Sequence, residues 1–269
     1  MLSASTRLGV IGWPVAHSRS PTIQNAALAA AGLTDWRYQA LPITPELLAR
    51  TLQALPEAGF RGVNVTIPHK EAALRLADEA SARASAIGAV NTLTFTEEGA
   101  IYAENTDAPA LIQSLPINVA GRSALVLGAG GSARAAVWAL LNAGAEDVRV
   151  WNRTAERARR LCAEIGGTPV DRPRPADLLV HCTSTGLDAS EDFFKQIPLT
   201  ADALAGYECV VDLVYSKPPT QLTRTARLQQ LVVIDGLELL LAQGALSFEL
   251  FTGNPAPVDA MRLVLSGHE

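Results

Sequence analysis

The chain has 269 residues, of which 22 are Lys or Arg and 27 are Asp or Glu, so its formal net charge is −5. This charge argues against nucleic acid as the main partner, because phosphate contacts need a basic surface. Hydrophobic residues make up 48% of the chain and charged residues 18%, which argues against disorder and allows one large or two smaller packed domains.

The cysteines, histidines and apolar runs argue against disulfide-stabilised, metal-binding, secreted and membrane-spanning proteins. Cys162, Cys182 and Cys209 are too few and too widely spaced for a disulfide framework or a CxxC metal clamp, and the four histidines form no HxxxH pair. We therefore expect no metal. The first twelve residues contain one Arg and an apolar run too short for a secretory signal, and no run of about 20 uncharged apolar residues could span a bilayer. These features predict a cytoplasmic protein without membrane contact.

The first hundred residues alternate strand-like and helix-like segments, which predicts an α/β unit with an added hairpin. The predicted strands are Leu8–Ile11, Arg37–Leu41 and Phe60–Thr66, the helices are Pro21–Ala31, Pro45–Leu55 and Lys70–Ala77, and the hairpin is Ala89–Phe95 with Ala100–Glu104. Pro21 and Gly32 mark the beginning and end of the first helix, and Thr44 is the expected cap of the second.

A second unit begins near Gly121, after a junction in the region 107–121. Its predicted strands are Ser123–Leu127, Val148–Trp151, Leu178–His181, Cys209–Leu213 and Leu231–Ile234, and helices end at Asn142 and Ile165. Strands separated by helices predict right-handed crossovers and a doubly wound parallel sheet. After Gly236 only helices are predicted, at Leu237–Phe251 and Pro257–Leu265. The predicted domains are residues 1–107, 108–236 and 237–269.

A glycine-rich turn follows the strand Ser123–Leu127 and opens a helix, in the order Gly128-Ala129-Gly130-Gly131-Ser132-Ala133. Within a βαβ unit, such a turn is typical of a dinucleotide site. Gly128 permits the sharp turn, Gly130 lets the backbone approach a diphosphate, and Ala133 allows the helix to pack closely on the strand. The N–H groups at the helix N-terminus favour the diphosphate. The alternative is a glycine-rich turn with no ligand.

The end of the next strand indicates which dinucleotide binds. A carboxylate there would bind the ribose hydroxyls of NAD, but this chain has Asn152-Arg153-Thr154 followed by Arg157. A guanidinium can hold two phosphate oxygens and Thr can donate a further hydrogen bond, so we predict NADP. The alternative is a solvated helix face formed by Arg157, Arg159 and Arg160, which is the expected role of the last two.

Four polar clusters lie at predicted strand ends or at the domain junction. They are Ser18-Arg19-Ser20-Pro21, Asn64-Val65-Thr66-Ile67-Pro68-His69-Lys70, Gly88-Ala89-Val90-Asn91-Thr92 and Asn105-Thr106-Asp107. Ligands bind beyond the carboxyl ends of strands in α/β sheets, so we expect Lys70 and Asp107 to face one cleft with the cofactor. Ser18 and Ser20, beside a helix N-terminus, suit a small carboxylate, and the alternative for Ser20 is a helix cap.

Together these motifs resemble those of the shikimate dehydrogenase family over nearly the whole chain. Asp212-Leu213-Val214-Tyr215 and Gln243-Gly244-Ala245 add to the resemblance. It implies an α/β fold with an N-terminal substrate-binding domain, an NADP-binding Rossmann domain and C-terminal helices that pack back on the first domain. It also implies the reversible, NADP-dependent reduction of 3-dehydroshikimate to shikimate in aromatic amino-acid biosynthesis.

The resemblance further implies roles for individual residues. It makes Lys70 and Asp107 the catalytic pair. For the substrate, it implies that the carboxylate is bound by Ser18, Ser20 and Tyr215 and the ring hydroxyls by Thr66, Asn91, Asp107 and Gln243. For the cofactor, it implies Gly128, Gly130, Gly131, Ser132, Ala133, Asn152, Arg153, Thr154, Arg157, Thr183, Leu213 and Gly236.

Several residues depart from the family pattern, and two other functions stay open. The departures are Gln24, Glu104, Ala110, His181 in place of Asn, Leu187 and Leu239; those at His181, Leu187 and Leu239 concern the nicotinamide pocket. The alternatives are a dehydrogenase of quinate or a related cyclic acid and a non-catalytic NADP-sensing module. Ser20 and Asn152-Arg153-Thr154 favour shikimate with NADP. The sequence leaves the oligomeric state open, with a homodimer as the candidate.

Overall fold

The computed structural model describes residues 5–188 and 190–266, whose strands form two six-stranded sheets. The chain divides into two compact units. The first unit contains the residues up to Thr106 and those from Leu240 onward, and the second unit is Asp107–Leu239.

The first unit contains a mixed sheet with the strand order β2-β1-β3-β5-β6-β4. The strands are β1 (Thr6–Gly12), β2 (Trp36–Pro42), β3 (Phe60–Val65), β4 (Glu79–Ala80), β5 (Thr92–Phe95) and β6 (Ile101–Glu104). The helices between them are α1 (Ser20–Ala30), α2 (Leu48–Ala54), α3 (Lys70–Leu76) and α4 (Ala82–Ile87), with a 3₁₀ turn at Pro45–Leu47. β1 is parallel to β2 and β3, whereas β5 is antiparallel to both β3 and β6. The prediction of an α/β unit with an added hairpin is therefore confirmed.

The second unit contains a fully parallel sheet with the order β12-β11-β10-β7-β8-β9. The strands are β7 (Ser123–Leu127), β8 (Asp147–Trp151), β9 (Thr168–Pro169), β10 (Leu178–His181), β11 (Cys209–Asp212) and β12 (Val232–Ile234). The helices are α5 (Asp107–Ser114), α6 (Gly131–Asn142), α7 (Ala155–Ile165), α8 (Phe193–Gln196) and α9 (Gln221–Leu228). The chain builds outward from β7 in one direction and then from β10 in the other, so the topological switch point lies between them. This confirms the predicted doubly wound sheet.

Two helices end the chain, α10 (Gly236–Thr252) and α11 (Val258–Ser266). α11 packs against α1 of the first unit, as predicted for the C-terminal helices. Gly244 of α10 lies so close to α1 that a Cβ would be 2.8 Å from Cδ1 of Ile23. The second boundary between the units falls within α10.

The sequence suggests Thr44 and Ser20 as helix caps, and both predictions are wrong. Thr44 precedes a 3₁₀ turn and makes no side-chain cap hydrogen bond; its hydroxyl donates to Glu46, which lowers the pKa of that carboxyl. Ser20 is the first residue of α1 rather than its cap, and its N–H donates to Ser18 Oγ at 3.3 Å. The cap alternative for Ser20 is therefore excluded.

Asp177 links β10 to β7 at the start of both strands. Its Oδ2 accepts hydrogen bonds from the Ser123 N–H at 2.6 Å and the Ser123 hydroxyl at 2.8 Å, and these bonds lower the pKa of the carboxyl. Because the folded-state pKa lies below the unfolded value of about 4, the stabilisation is fully present above pH 4 and is lost as the pH falls through the folded-state pKa.

We therefore expect Asp177→Asn to lower the free energy of unfolding by about 1 kcal/mol at pH 7, after allowance for solvent exposure. The loss should shrink as the pH is lowered from about 4. Urea unfolding at pH 7 and in acid measures it, with Asp171→Asn at an exposed carboxylate as the control. A deficit of constant size at every pH would contradict this assignment.

Candidate functional site

The segments that carry the four polar clusters adjoin strand ends at one edge of the first sheet. β1 and β3 are parallel and end there, at Gly12 and Val65. Because β5 runs antiparallel to β3, its first residue, Thr92, pairs with Asn64, and Thr92 also pairs with Glu104 at the end of β6. The loop after β1, the segment after β3, the residues before β5 and those after β6 therefore emerge side by side.

Asn91 is the centre of a buried hydrogen-bond cluster at this edge and is 2% exposed. Its Oδ1 accepts the Thr106 N–H at 2.7 Å, which identifies the other terminal atom as Nδ2. This Nδ2 lies 2.8 Å from Thr106 Oγ1 and 3.4 Å from Gln243 Oε1. The Thr106 hydroxyl also lies 3.2 Å from the carbonyl oxygen of Gln243. Asn91 and Gln243, both predicted to bind substrate, are thus held together through Thr106.

A second amide, Asn64, extends this cluster and was not predicted to bind substrate. Its Oδ1 accepts the Tyr38 hydroxyl at 2.7 Å, and its Nδ2 lies 2.9 Å from Ser247 Oγ and 3.1 Å from Thr92 Oγ1. Asn64 therefore joins β2, β3, β5 and α10. Its signal in the sequence is a polar residue between two valines of a buried strand, since buried polar groups are rare and must be paired.

Thr66 and Lys70 follow β3 at the same edge. The Thr66 N–H donates to the Ile11 carbonyl at 2.9 Å, and a Cβ on Gly12 would lie 2.5 Å from the Thr66 methyl, so only glycine fits there. Lys70 begins α3 and is half-buried, and its carbonyl accepts the Val90 N–H at 3.0 Å. Lys70 is thereby attached to the segment that carries Asn91.

Ser18 and Ser20 lie in the loop after β1, at the beginning of α1, and the other two predicted substrate residues belong to the second unit. Asp107 begins α5 and directly follows Thr106, which Asn91 holds. Tyr215 lies three residues after the end of β11. Ser18, Asp107 and Tyr215 are half-buried, and Ser20 is buried.

The glycine-rich turn lies at the switch point of the second sheet. Gly128 has φ +117° and donates its N–H to the Trp151 carbonyl at 2.8 Å, and a Cβ there would lie 3.1 Å from the Cys182 backbone. Apart from its two chain neighbours, no described residue has an atom within 4 Å of the would-be Cβ of Gly130. At the start of α6, the Arg134 N–H donates to the Gly130 carbonyl oxygen at 2.9 Å, so the turn from Gly128 leads directly into the helix. An open space beside a helix N-terminus fits a diphosphate.

Arg153, Thr154 and Arg157 are exposed at the end of β8 and in the first turn of α7. The Asn152 side chain donates to the Thr154 carbonyl at 2.9 Å and shapes this turn. Within the ranges 5–188 and 190–266, neither Arg153 nor Arg157 has an ion-pair partner. Arg159 pairs with Glu156 and Arg160 with Glu164 on the surface of α7. The pairing matches the expectation that Arg159 and Arg160 form a solvated face.

Thr183, Leu213 and Gly236 follow β10, β11 and β12, on the opposite side of the switch point from Arg153. The Thr183 methyl lies 3.4 Å from the would-be Cβ of Gly128. A Cβ on Gly236 would lie 2.8 Å from the Leu213 carbonyl oxygen and 2.7 Å from the carbonyl carbon of Val214. Thr183 therefore lies beside the dinucleotide turn, and Gly236 lies against the segment that contains Leu213.

Two departures from the family pattern have structural roles at the first sheet. Glu104 is 9% exposed and accepts hydrogen bonds from the Ser81 hydroxyl at 2.7 Å and the Asn105 N–H at 2.6 Å, while Arg83 forms an ion pair with it. Gln24 is 1% exposed and donates to the Gly244 carbonyl at 2.8 Å, which links α1 to α10. Ala110 and Leu239 are buried, and Leu187 is exposed.

Among the residues with described positions, no group of three or more His, Cys, Asp or Glu side chains could hold a metal ion. No helix in those parts of the chain has the length and hydropathy needed to cross a membrane.

The fold and the glycine turn define the class: an α/β unit joined to a Rossmann-type dinucleotide-binding unit. Family models match in three segments: the shikimate dehydrogenase substrate binding domain at residues 10–93, shikimate/quinate 5-dehydrogenase at 110–183, and the shikimate 5′-dehydrogenase C-terminal domain at 236–265.

Individual proteins match over almost the whole chain. The shikimate dehydrogenase (NADP(+)) of Paracoccus denitrificans is 42% identical, covering 93% of this chain and 92% of that protein. That of Methanopyrus kandleri is 39% identical, with coverage of 97% and 95%. The crystal structure of shikimate dehydrogenase from Aquifex aeolicus matches with TM-score 0.90 at 34% identity over 98% of this chain and 99% of that one. The Thermus thermophilus enzyme in complex with NADP(H) and shikimate matches with TM-score 0.86 at 42% identity, over 97% and 99%. The chain belongs to the shikimate dehydrogenase family.

Proposed function

We propose that this protein catalyses the reversible NADPH-dependent reduction of 3-dehydroshikimate to shikimate, a step of aromatic amino-acid biosynthesis. The observation that carries this proposal is the match in both sequence and fold to a relative solved with NADP(H) and shikimate. The polar cluster at the edge of the first sheet and the open glycine turn of the second support it, because the reaction needs a polyhydroxylated substrate and a dinucleotide.

The substrate-binding role falls on the cluster at the edge of the first sheet. Thr66, Asn91 and Gln243, with Asp107, are proposed to hold the ring hydroxyls. Neutral amides and hydroxyls fixed in one orientation discriminate between hydroxyl positions, because a misplaced hydroxyl leaves a buried polar group unpaired. Ser18 and Ser20, with Tyr215, are proposed to bind the carboxylate.

The chemical step is proposed to use Lys70 and Asp107. Reduction of a ketone adds a hydride to carbon and a proton to oxygen, and NADPH, when bound, supplies the hydride. An ammonium group can donate the proton, whereas an ionised carboxylate cannot, so Lys70 is the donor. Asp107 is proposed to orient the Lys70 ammonium by accepting a hydrogen bond from it. In the reverse direction, Lys70 accepts the proton of the shikimate hydroxyl.

The cofactor-binding role falls on two groups of residues. The diphosphate is proposed to lie on the N–H groups of Gly130, Gly131, Ser132 and Ala133, at the turn that Gly128 permits. Asn152, Arg153, Thr154 and Arg157 are proposed to bind the 2′-phosphate. Thr183, Leu213 and Gly236 are proposed to line the nicotinamide half.

Gly130→Ala separates cofactor binding from folding. Because no described residue other than the two chain neighbours has an atom within 4 Å of the added methyl group, we expect an unchanged melting temperature. We also expect NADPH to bind at least about tenfold more weakly, since the methyl group fills space needed by the diphosphate. Calorimetric titration with NADPH measures the loss.

Gly62→Ala is the matched comparison, because its Cβ would lie 2.6 Å from the Leu93 carbonyl oxygen. That variant should lose stability through steric overlap, by roughly 1–3 kcal/mol. Unaltered NADPH affinity in Gly130→Ala would place the diphosphate elsewhere.

The activity is tested by mixing the protein with shikimate and NADP⁺ and following the absorbance of reduced cofactor. Parallel reactions with quinate, and with NAD⁺, are the controls. We expect reduction of NADP⁺ with shikimate and much slower reaction in both controls. Preferential oxidation of quinate would identify the quinate alternative, and NADPH binding without turnover would identify a sensing module.

The cellular location and the oligomeric state of the protein are predictions. We propose a cytoplasmic location from the scarcity of cysteines, since proteins of oxidising compartments are richer in them. A homodimer is the proposed assembly, and sedimentation velocity at micromolar concentration would distinguish it from a monomer.

A further inference from the structure

A chain of three polar side chains runs from the interior of the second sheet to the loop after β10. Asp212, at the end of β11, and His181, at the end of β10, are both 0% exposed. Asp212 Oδ1 lies 2.9 Å from His181 Nδ1, and His181 Nε2 lies 2.6 Å from Thr183 Oγ1. The His181 ring packs edge-to-face on Phe193, with 5.0 Å between ring centroids, which keeps water from the ring. His181 stands where the family pattern has Asn.

The surroundings of Asp212 determine the direction of these hydrogen bonds. Its other neighbours are the Val214 N–H at 3.0 Å and the hydroxyls of Thr220 and Thr223. The Thr220 hydroxyl accepts the Thr223 N–H at 3.1 Å, so its own proton points to the carboxylate. All of these groups donate, and Asp212 accepts at both oxygens. His181 Nδ1 must therefore carry hydrogen, and in the neutral form of a ring with hydrogen on Nδ1 the other nitrogen, Nε2, is an acceptor.

The hydroxyl of Thr183, a residue beside the dinucleotide turn, consequently has no proton left to donate to a ligand. Its hydroxyl donates to His181 Nε2, and one lone pair accepts the Thr185 N–H at 3.1 Å. One acceptor position of the half-buried hydroxyl is then left for a ligand. Thr183 packs beside Gly128 at the switch point between β7 and β10, which is where a dinucleotide crosses the sheet.

We propose that Asp212 and His181 are positioning residues that hold the Thr183 hydroxyl as a hydrogen-bond acceptor for the nicotinamide half of NADP(H). The matching ligand groups are the ribose hydroxyls and the carboxamide N–H. A phosphate offers only acceptor oxygens and is disfavoured at this position. The inference rests on the proposed function for the identity of the ligand, but the hydrogen-bond direction does not depend on it.

The first test reads the tautomer of His181 in the wild-type protein, by ¹⁵N NMR of the imidazole rings at neutral pH. A second buried histidine serves as the internal contrast. His69 is 1% exposed, and its Nε2 lies 2.7 Å from the Ile43 carbonyl, which can only accept. We expect the proton on Nδ1 in His181 and on Nε2 in His69. A proton on Nε2 of His181, in either a neutral or a charged ring, would overturn the proposal, because Thr183 would then be free to donate.

The second test measures dissociation constants by calorimetry for two ligands, NADPH and adenosine 2′,5′-bisphosphate, which lacks the nicotinamide half. Thr183→Val keeps the shape of the side chain and removes the hydroxyl, and His181→Asn keeps a group facing Asp212 but removes the Nε2 acceptor. We expect each variant to bind NADPH about three- to tenfold more weakly and the bisphosphate as tightly as the wild type.

The double variant shows whether His181 acts through Thr183. If it does, Thr183→Val with His181→Asn binds NADPH no more weakly than Thr183→Val alone. Multiplying losses, or equal losses for both ligands, would mean a general structural role and would overturn the proposal. A protein that binds NADPH with this pattern but does not oxidise shikimate would overturn the proposed function and leave the inference standing.

Discussion

Lys70→Ala should lose kcat by roughly 10²–10⁴-fold, with the KM for shikimate little changed. The methyl side chain cannot donate a proton to the carbonyl oxygen or accept one from the hydroxyl. The Thr66, Asn91 and Gln243 contacts that are proposed to bind the ring stay in place. Steady-state kinetics in both directions, with saturating cofactor, measure the effect.

Arg75→Ala is the matched control for this variant, because Arg75 is an exposed cation in the last turn of the same helix. It should leave kcat within about twofold of the wild type, as expected for a surface substitution. If Lys70→Ala instead raised KM by two orders of magnitude and kept kcat, Lys70 would be a binding residue and not the proton donor.

Arg153→Asp should raise the KM for NADPH roughly 10- to 100-fold and leave the KM for NADH unchanged or lower. The substitution removes a guanidinium that can hold two phosphate oxygens and puts a carboxylate where a 2′-phosphate would lie. That carboxylate is also the residue type that accepts hydrogen bonds from the ribose hydroxyls of NAD. Initial rates with each cofactor at fixed shikimate or 3-dehydroshikimate give both constants.

Arg159→Asp is the control for charge reversal on the same surface, since Arg159 is 58% exposed and is paired with Glu156. Its KM for NADPH should change by less than about threefold, because the screened charge lies on the solvated face of α7. An unchanged KM for NADPH in Arg153→Asp would remove Arg153 from the cofactor site.

Much of the fold was predictable because its signals are local. Each strand of the second sheet from β7 to β12 except the two-residue β9 appears as an apolar run, and the turn from Gly128 to Ala133 has a spacing that few other structures require. The weaker elements were missed. α5 begins at Asp107 and contains Pro109 in its first turn, where proline is tolerated, so the segment was interpreted as a junction. α4 has only six residues, too few for a clear helical period.

The sequence predicts the residues of the candidate site one by one but not the hydrogen-bond network that joins them. Asn91 and Gln243 were assigned from motifs, and their connection through Thr106 depends on the antiparallel pairing of β5, which brings distant segments to one edge. The roles of Asn64 and His181 depend on partners far away in the chain, Ser247 and Asp212. No local pattern encodes such pairs, and single-sequence reasoning does not find them.

The most direct test of the account is a crystal structure of this protein with shikimate and NADP⁺ bound. We expect Lys70 Nζ within about 3.2 Å of the hydroxyl that is oxidised, Asp107 within hydrogen-bond reach of the same ammonium, and the carbon under that hydroxyl facing the nicotinamide ring. If the reacting hydroxyl lay out of reach of Lys70, even through one water molecule, the assigned proton transfer would be wrong.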